Sequence, residues 1–209
     1  YLSENIDLDY LILMDGDGED RPEEIKSLVS KIMNEPNKSV VAKRIKRSEG
    51  FLFQMLYRAH KYLTLLTTGK LINFGNYSCL LKSDMKKMSL DGSLWSSYSG
   101  TFKKNIESYN EVNSIRGMRY FGPSQMSLFK LFIHSFSIIA VFKYRVFTLS
   151  IVYLALFSLL GFLLKFNCIF FQILIILFNI FIFTVSFREN KKELENSKMD
   201  ISYIENLTH

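Results

Sequence analysis

The stretch "DYLILMDGDGEDRPEEI" (residues 9–25) decides how the rest of the chain is read. Four apolar residues, LILM (11–14), run into six acidic side chains within positions 15–24, with Pro22 among them. A short apolar run bounded by turn residues reads as a buried strand, here 8–14. From Pro22 the pattern changes: proline at the start, acids in the first turn and apolar residues at 25, 28, 29, 32 and 33 predict an amphipathic helix. DGDGED (15–20) is therefore the loop between the C-terminal end of a buried strand and a helix, where ligands sit in open α/β sheets.

Outward from that loop, SVVAKR (39–44) reads as the next strand. FLFQMLYRAHKYLTLL (51–66) carries apolar residues at 52, 55, 56, 59, 62, 63 and 66, a helical face with Gln54, Arg58 and Lys61 opposite. KLINFGNYSCLLKS (70–83) suggests two short strands around a Gly75-Asn76 turn. Helices near 83–89 and 93–106 and a strand in VNSIRGMRY (112–120) complete an α/β pattern. The chain opens at Tyr1, and the sheet is expected to lack its first strands, so the domain is read as N-terminally incomplete.

The composition changes near residue 145. VFTLSIVYLALFSLLGFLL (146–164) and CIFFQILIILFNIFIFTVSF (168–187) hold no ionised side chain and are long enough to cross a bilayer as helices. Only KFN separates them, so they form an antiparallel hairpin. Lys143, Arg145, Arg188, Lys191 and Lys192 lie outside the hairpin against Lys165 in its turn, which places both termini in the cytoplasm. Before it, SLFKLFIHSFSIIAVFK (127–143) has polar residues at 127, 130, 134 and 137, a narrow stripe on an apolar helix suited to the bilayer interface, with Lys130 and His134 toward water. The expected division is a globular α/β domain over 1–124, a juxtamembrane helix over 125–145, a transmembrane hairpin over 146–187 and a cytoplasmic tail over 188–209. Net charge is +6, but the basic residues lack the aromatic interleaving of a nucleic-acid surface, so a membrane is the expected partner and nucleic acid is not. Cys79 and Cys168 provide neither a disulfide framework nor metal-ligand spacing, in keeping with a reducing compartment.

Three readings compete for the acidic loop. Asp15, Asp17 and Glu19 alternate as in an EF-hand, but that loop needs glycine sixth and glutamate twelfth, where Asp20 and Lys26 stand. A solvated turn without a ligand leaves the carboxylates repelling one another at the end of a buried strand. A divalent-metal site uses Asp15 and Asp17 as hard oxygen ligands that also hold a diphosphate, with Gly16 and Gly18 allowing close backbone approach.

These residues resemble the Asp-x-Asp segment of family-2 glycosyltransferases of the GT-A fold, in particular the membrane-anchored group that includes dolichol-phosphate mannose synthase and bacterial polyprenyl-phosphate glycosyltransferases. Asp15, Asp17, Asp20, Pro22 and Glu23 match in place, with Glu19 where glutamine is usual. VVAKRIKR (40–47), FGNYSCLLKS (74–83) and RYFGPSQMSLFKLF (119–132) are similar to later segments of that group, and the helical hairpin agrees with it. The fold implied is a partial GT-A, Rossmann-like domain followed by an interface helix and a two-helix transmembrane hairpin.

The resemblance implies transfer of a sugar from a nucleotide-sugar donor to a polyprenyl phosphate or similar lipid-linked acceptor in cell-envelope or surface-polysaccharide assembly. Asp15 and Asp17 would bind Mg²⁺ or Mn²⁺ and, with Asn76, form the catalytic set. Arg119 would bind a donor phosphate, and Arg44 and Arg47 are weaker candidates for the acceptor phosphate. Asn76 stands where an aspartate is usual and Gln125 where a lysine often follows the serine. A phosphate monoester is already ionised near neutral pH, with a second pKa of about 6, and needs positioning more than a base. The implied location is the inner (cytoplasmic) membrane, with association through the membrane helices. The competing class is a degenerate, non-catalytic transferase whose acidic loop only binds cations.

Overall fold

The computed structural model describes residues 2–46, 51–120, 122, 127–165 and 167–200. Four strands, β1 (Tyr10–Leu13), β2 (Val40–Lys46), β3 (Phe74–Leu81) and β4 (Asn110–Ile115), form one sheet in the order β1-β3-β2-β4. β3 is antiparallel to β1 and β2, and β2 is parallel to β4. The C-terminal ends of β1, β2 and β4 and the N-terminal end of β3 therefore share one end of the sheet. Around it run α1 (Leu2–Asn5), α2 (Ile25–Asn34), α3 (Phe51–Thr68), α4 (Lys82–Ser89), α5 (Tyr98–Asn105), α6 (Leu128–Ala140), α7 (Lys143–Leu164), α8 (Ile169–Ser186) and α9 (Lys191–Asn196).

The two faces of the sheet follow the two-residue period of extended chain. Val40, Ala42, Tyr77 and Cys79 pack with Leu28 and Ile32 of α2. Val41, Phe74 and Leu80 point the other way, into a cluster with Met85, Met88, Phe102, Ile106, Val141 and Phe142. There Phe74, Phe102 and Tyr109 meet edge to face at 5.2 to 5.6 Å between ring centres, the arrangement ring quadrupoles favour. The predicted face of α2 is narrower than expected: Leu28 and Ile32 are fully buried, but Val29 and Met33 stay 37% and 62% exposed.

The expected turn at Gly75-Asn76 is absent, and both residues lie inside β3. The strongest hairpin pair is Asn-Gly, the reverse order. Here Tyr77, Cys79 and Leu80 are buried on alternate faces, and β2 pairs with the strand at Phe74 and at Ser78, which holds the residues between them extended.

α3 departs from expectation more sharply. Of the predicted apolar face, Leu63 packs inward beside Ile139 and Val146, but Met55, Leu56, Tyr62 and Leu66 face outward at 50–64% exposure, whereas Thr64 and Thr68 are buried. Each of these threonines satisfies its hydroxyl on the carbonyl four residues back, Thr64 on His60 at 2.8 Å and Thr68 on Thr64 at 2.6 Å, so a polar face can be buried without orphaned groups. That face rests on α6 and α7: His60 Nε2 lies 2.8 Å from the Ser135 carbonyl, and the Tyr153 hydroxyl donates to the Leu66 carbonyl at 2.9 Å. Gly69, at φ +64°, closes the helix where a Cβ would meet the Arg145 guanidinium at 2.8 Å.

Among the described residues, α7 and α8 are the two helices long and apolar enough to cross a membrane. They lie side by side, with Phe157 stacked on Phe171 at 5.3 Å and the Gln172 amide donating to Ser158 at 2.9 Å. Their outer surfaces stay apolar and uncovered, as at Ile151, Phe162, Phe170 and Ile180. α6 is a separate helix, capped by the Ser127 hydroxyl on the Lys130 amide. Lys130 and His134 are exposed as expected, but Ser137 is fully buried and returns its hydroxyl to the Ile133 carbonyl. The tail forms α9, which comes back to the globular domain: a Cβ at Gly92 would lie 3.1 Å from that of Lys191. Lys143 and Glu189 pair at 2.7 Å at the base of the hairpin.

Candidate active site

Antiparallel β3 brings the predicted residues together. Asp15 and Asp17 follow β1, Arg44 is late in β2, Asn76 is early in β3 and Arg119 follows β4, all at one end of the sheet. Arg47 lies outside the described residues, as does Gln125.

The acidic loop is built by its own side chains. Asp17 Oδ1 accepts from the Glu19 amide at 3.0 Å, a local turn that aspartate favours. Asp20 is buried at 3% exposure, and its Oδ2 accepts from the Asp15 amide at 3.1 Å. Its Oδ1 faces Arg44 Nη2 at 3.4 Å. Burial pushes the Asp20 carboxyl up, opposed by the Asp15 amide and the Arg44 charge. The Tyr77 hydroxyl donates to the Arg21 carbonyl at 2.7 Å and ties the end of the loop to β3. Burial pushes that phenol up to about 12, so it stays a donor at neutral pH.

Asp15 is exposed, and the Asn76 amide donates to its Oδ1 at 3.4 Å. The expectation for the two glycines divides. Gly16 has open space on its Cβ side, but Gly18 sits at φ +89° with the Tyr120 ring 2.8 Å from where a Cβ would stand. Gly18 is thus needed for the backbone turn and for the segment after β4.

That segment is fastened to the loop. Gly117 N–H donates to the Glu19 carbonyl at 2.8 Å and Tyr120 N–H to the Asp17 carbonyl at 2.9 Å. Arg119 pairs through Nη2 with Asp17 Oδ2 at 3.2 Å and through Nε with Glu19 Oε1 at 2.8 Å, and Arg116 takes the other Glu19 oxygen. Burial works against ionised Glu19, but the hydrogen bonds from Arg119 and Arg116 outweigh it and hold the carboxyl below its ordinary value. The roles of Glu19, Asp20 and Tyr77 escaped sequence reading because each depends on a partner from another strand. The only hint was two arginines three residues apart in RGMR (116–119).

Among the described residues no three His, Cys, Asp or Glu side chains converge as a metal cage. What the loop offers is a pair of carboxylates, one exposed and one half-buried, beside two arginines. Such a set suits an anion bound through a cation: Mg²⁺ is commonly held by one or two carboxylates and completed by phosphate oxygens and water.

A protein-family model described as glycosyl transferase family 2 matches residues 4–119, more than half of the 209-residue chain. No curated protein and no solved structure matches it. The matched span covers all four strands and ends at Arg119, the last residue of the constellation. The chain belongs to glycosyltransferase family 2.

Proposed function

We infer that the protein transfers a sugar from a nucleotide-sugar donor to a polyprenyl phosphate, or a similar lipid-linked acceptor, at the surface of the inner membrane. The observation that carries the reading is the meeting of Asp15, Asp17, Asn76 and Arg119 at one end of the sheet, on a chain that continues into an apolar helical hairpin. The membrane side is supported by α3, whose outward face is apolar and exposed while its buried face rests on α6 and α7. From Gly69, beside Arg145, to Asn76 the chain has seven residues, a reach of at most about 25 Å. The base of the hairpin, where a lipid phosphate would emerge, is thus no more than about 25 Å from Asn76 along this segment. The proposed division keeps 1–124 as the catalytic domain, 125–145 as the juxtamembrane segment, 146–187 as the hairpin and 188–209 as a cytoplasmic tail, with self-association through the membrane helices.

Asp15 and Asp17 would hold Mg²⁺ or Mn²⁺, which neutralises charge building on the departing nucleoside diphosphate. The Arg119 fork binds a donor phosphate oxygen bidentately once it turns from the loop carboxylates. Arg44, and Arg47 beyond it in sequence, orient the acceptor phosphate. Asn76 donates through its amide and cannot accept a proton as a base, which suits an acceptor that arrives ionised. An acceptor phosphate oxygen then bonds to the anomeric carbon as the bond to the donor diphosphate breaks.

The competing reading, a membrane tether whose loop only binds cations, draws on the acidic partners that Arg44 and Arg119 already have. The protein in membrane vesicles is supplied with labelled nucleotide sugars, with and without undecaprenyl phosphate and Mg²⁺. Metal-dependent labelling of the lipid that disappears in Asp17→Ala is the expected result. Donor hydrolysis without lipid labelling moves the acceptor to another membrane substrate, and no donor binding at all leaves the tether.

A further inference from the structure

We propose that Glu19 is a positioning residue of the donor site, a carboxylate that holds Arg116 and Arg119 in register and releases Arg119 to the donor's phosphates. The proposal rests on the function inferred above. Glu19 is 15% exposed in its side chain and uses both oxygens, Oε1 on Arg119 Nε at 2.8 Å and Oε2 on Arg116 Nη2. No other carboxylate in the loop engages two guanidinium groups: Asp17 pairs with Arg119 alone and Asp20 with Arg44 alone among the described residues.

The backbone makes this a side-chain function and not a scaffold requirement. The Gly117 and Tyr120 amides are taken by the carbonyls of Glu19 and Asp17, which any residue at position 19 retains. The Glu19 carboxylate therefore adds orientation to a junction that the main chain already closes. It also sets an electrostatic threshold. A diphosphate entering beside Asp17 and Glu19 meets like charge, and it gains Arg119 only by displacing a charge-assisted bond of 2.8 Å. Glutamine at position 19 keeps the size and one oxygen acceptor but removes the charge, so Arg119 turns to phosphate at lower cost.

The test uses the full chain in nanodiscs, with UDP, GDP and CDP as probes, each with Mg²⁺, by calorimetry. For whichever nucleotide the wild type binds, Glu19→Gln is expected to bind on the order of tenfold tighter, the scale of one hydrogen bond to a charged group. The gain is expected to vanish when Arg119→Lys is combined with it, since the two residues act on the ligand as a pair. General loosening of the loop weakens binding and cannot produce that gain. Hydrogen exchange at the Gly117 and Tyr120 amides is read alongside, to verify that the junction stays closed in the variant. Binding by Glu19→Gln that is unchanged or weaker, with those amides protected as in the wild type, overturns the proposal. Absence of coupling between positions 19 and 119 does the same. A wild type that binds none of the three nucleotides overturns the donor reading itself, a result distinct from nucleotide binding that ignores Glu19.

Discussion

Gly117→Ala is the sharpest probe of how the two halves of the site are joined. A Cβ at Gly117 would stand 2.4 Å from the carbonyl oxygen of Gly18 and 3.1 Å from Arg21 Cγ. The nearer atom is backbone in a loop held by the Asp17, Asp20 and Tyr77 bonds, so it cannot swing aside as a side-chain tip would. Reaching ordinary contact requires the segment after β4 and the acidic loop to part by roughly 1 Å, a displacement that in a catalytic site can cost about 100-fold in rate. The bond from Gly117 N–H to the Glu19 carbonyl, 2.8 Å long, is stretched by the same movement. Overpacking of this kind costs about 1–3 kcal/mol and the hydrogen bond about 1 kcal/mol. Thermal unfolding should therefore drop by about 5–15 °C, with donor turnover falling further than stability explains. Gly16→Ala is the companion measurement, because nothing lies within 4 Å of its Cβ and its melting temperature should match the wild type. Equal melting temperatures for Gly117→Ala and Gly16→Ala, with donor turnover intact in Gly117→Ala, would refute the claim that loop and segment form one rigid unit.

Tyr77→Phe removes the donor to the Arg21 carbonyl at 2.7 Å and should cost about 1 kcal/mol. Since that phenol titrates only near 12, the loss should be the same at pH 6 and pH 9, and a pH-dependent loss would contradict the assignment. Burial opposes ionisation of Asp91, but hydrogen bonds from Asn105, Ser93 and Lys104 outweigh it and hold the carboxyl well below its ordinary value. The folded state therefore binds fewer protons than the unfolded one, so Asp91 stabilises above about pH 4 and this contribution is lost as the pH falls through the lowered value. The stability gap between wild type and Asp91→Asn should shrink on acidification, as thermal unfolding against pH would show. A spin label on Tyr62→Cys, on the outward face of α3, should be relaxed more by oxygen than by a water-soluble nickel complex in nanodiscs; the reverse order would place that face in water.

Part of this architecture follows from neighbours along the chain alone. Two uncharged apolar runs long enough for a bilayer had to become helices, because no other structure in such a run satisfies its backbone away from water. The greasy run into DGDGED had to be a strand entering a loop, and proline followed by acids had to start the next helix. The rest depends on partners across the chain, which meet only in the folded sheet and its helices. Gly75-Asn76 is strand and not turn because β2 pairs with β3 both before and after it, at Phe74 and at Ser78. α3 hides Thr64 and Thr68 and shows Leu56 and Leu66 because α6 and α7 pack on the face that carries His60, Leu63 and the threonines. Arg119 was legible as a cation near the site, but its partners Glu19 and Asp17 lie about 100 residues away in the chain. Spacing along a sequence carries no information on such pairs, since they exist only where the sheet brings the ends of β1 and β4 into one place.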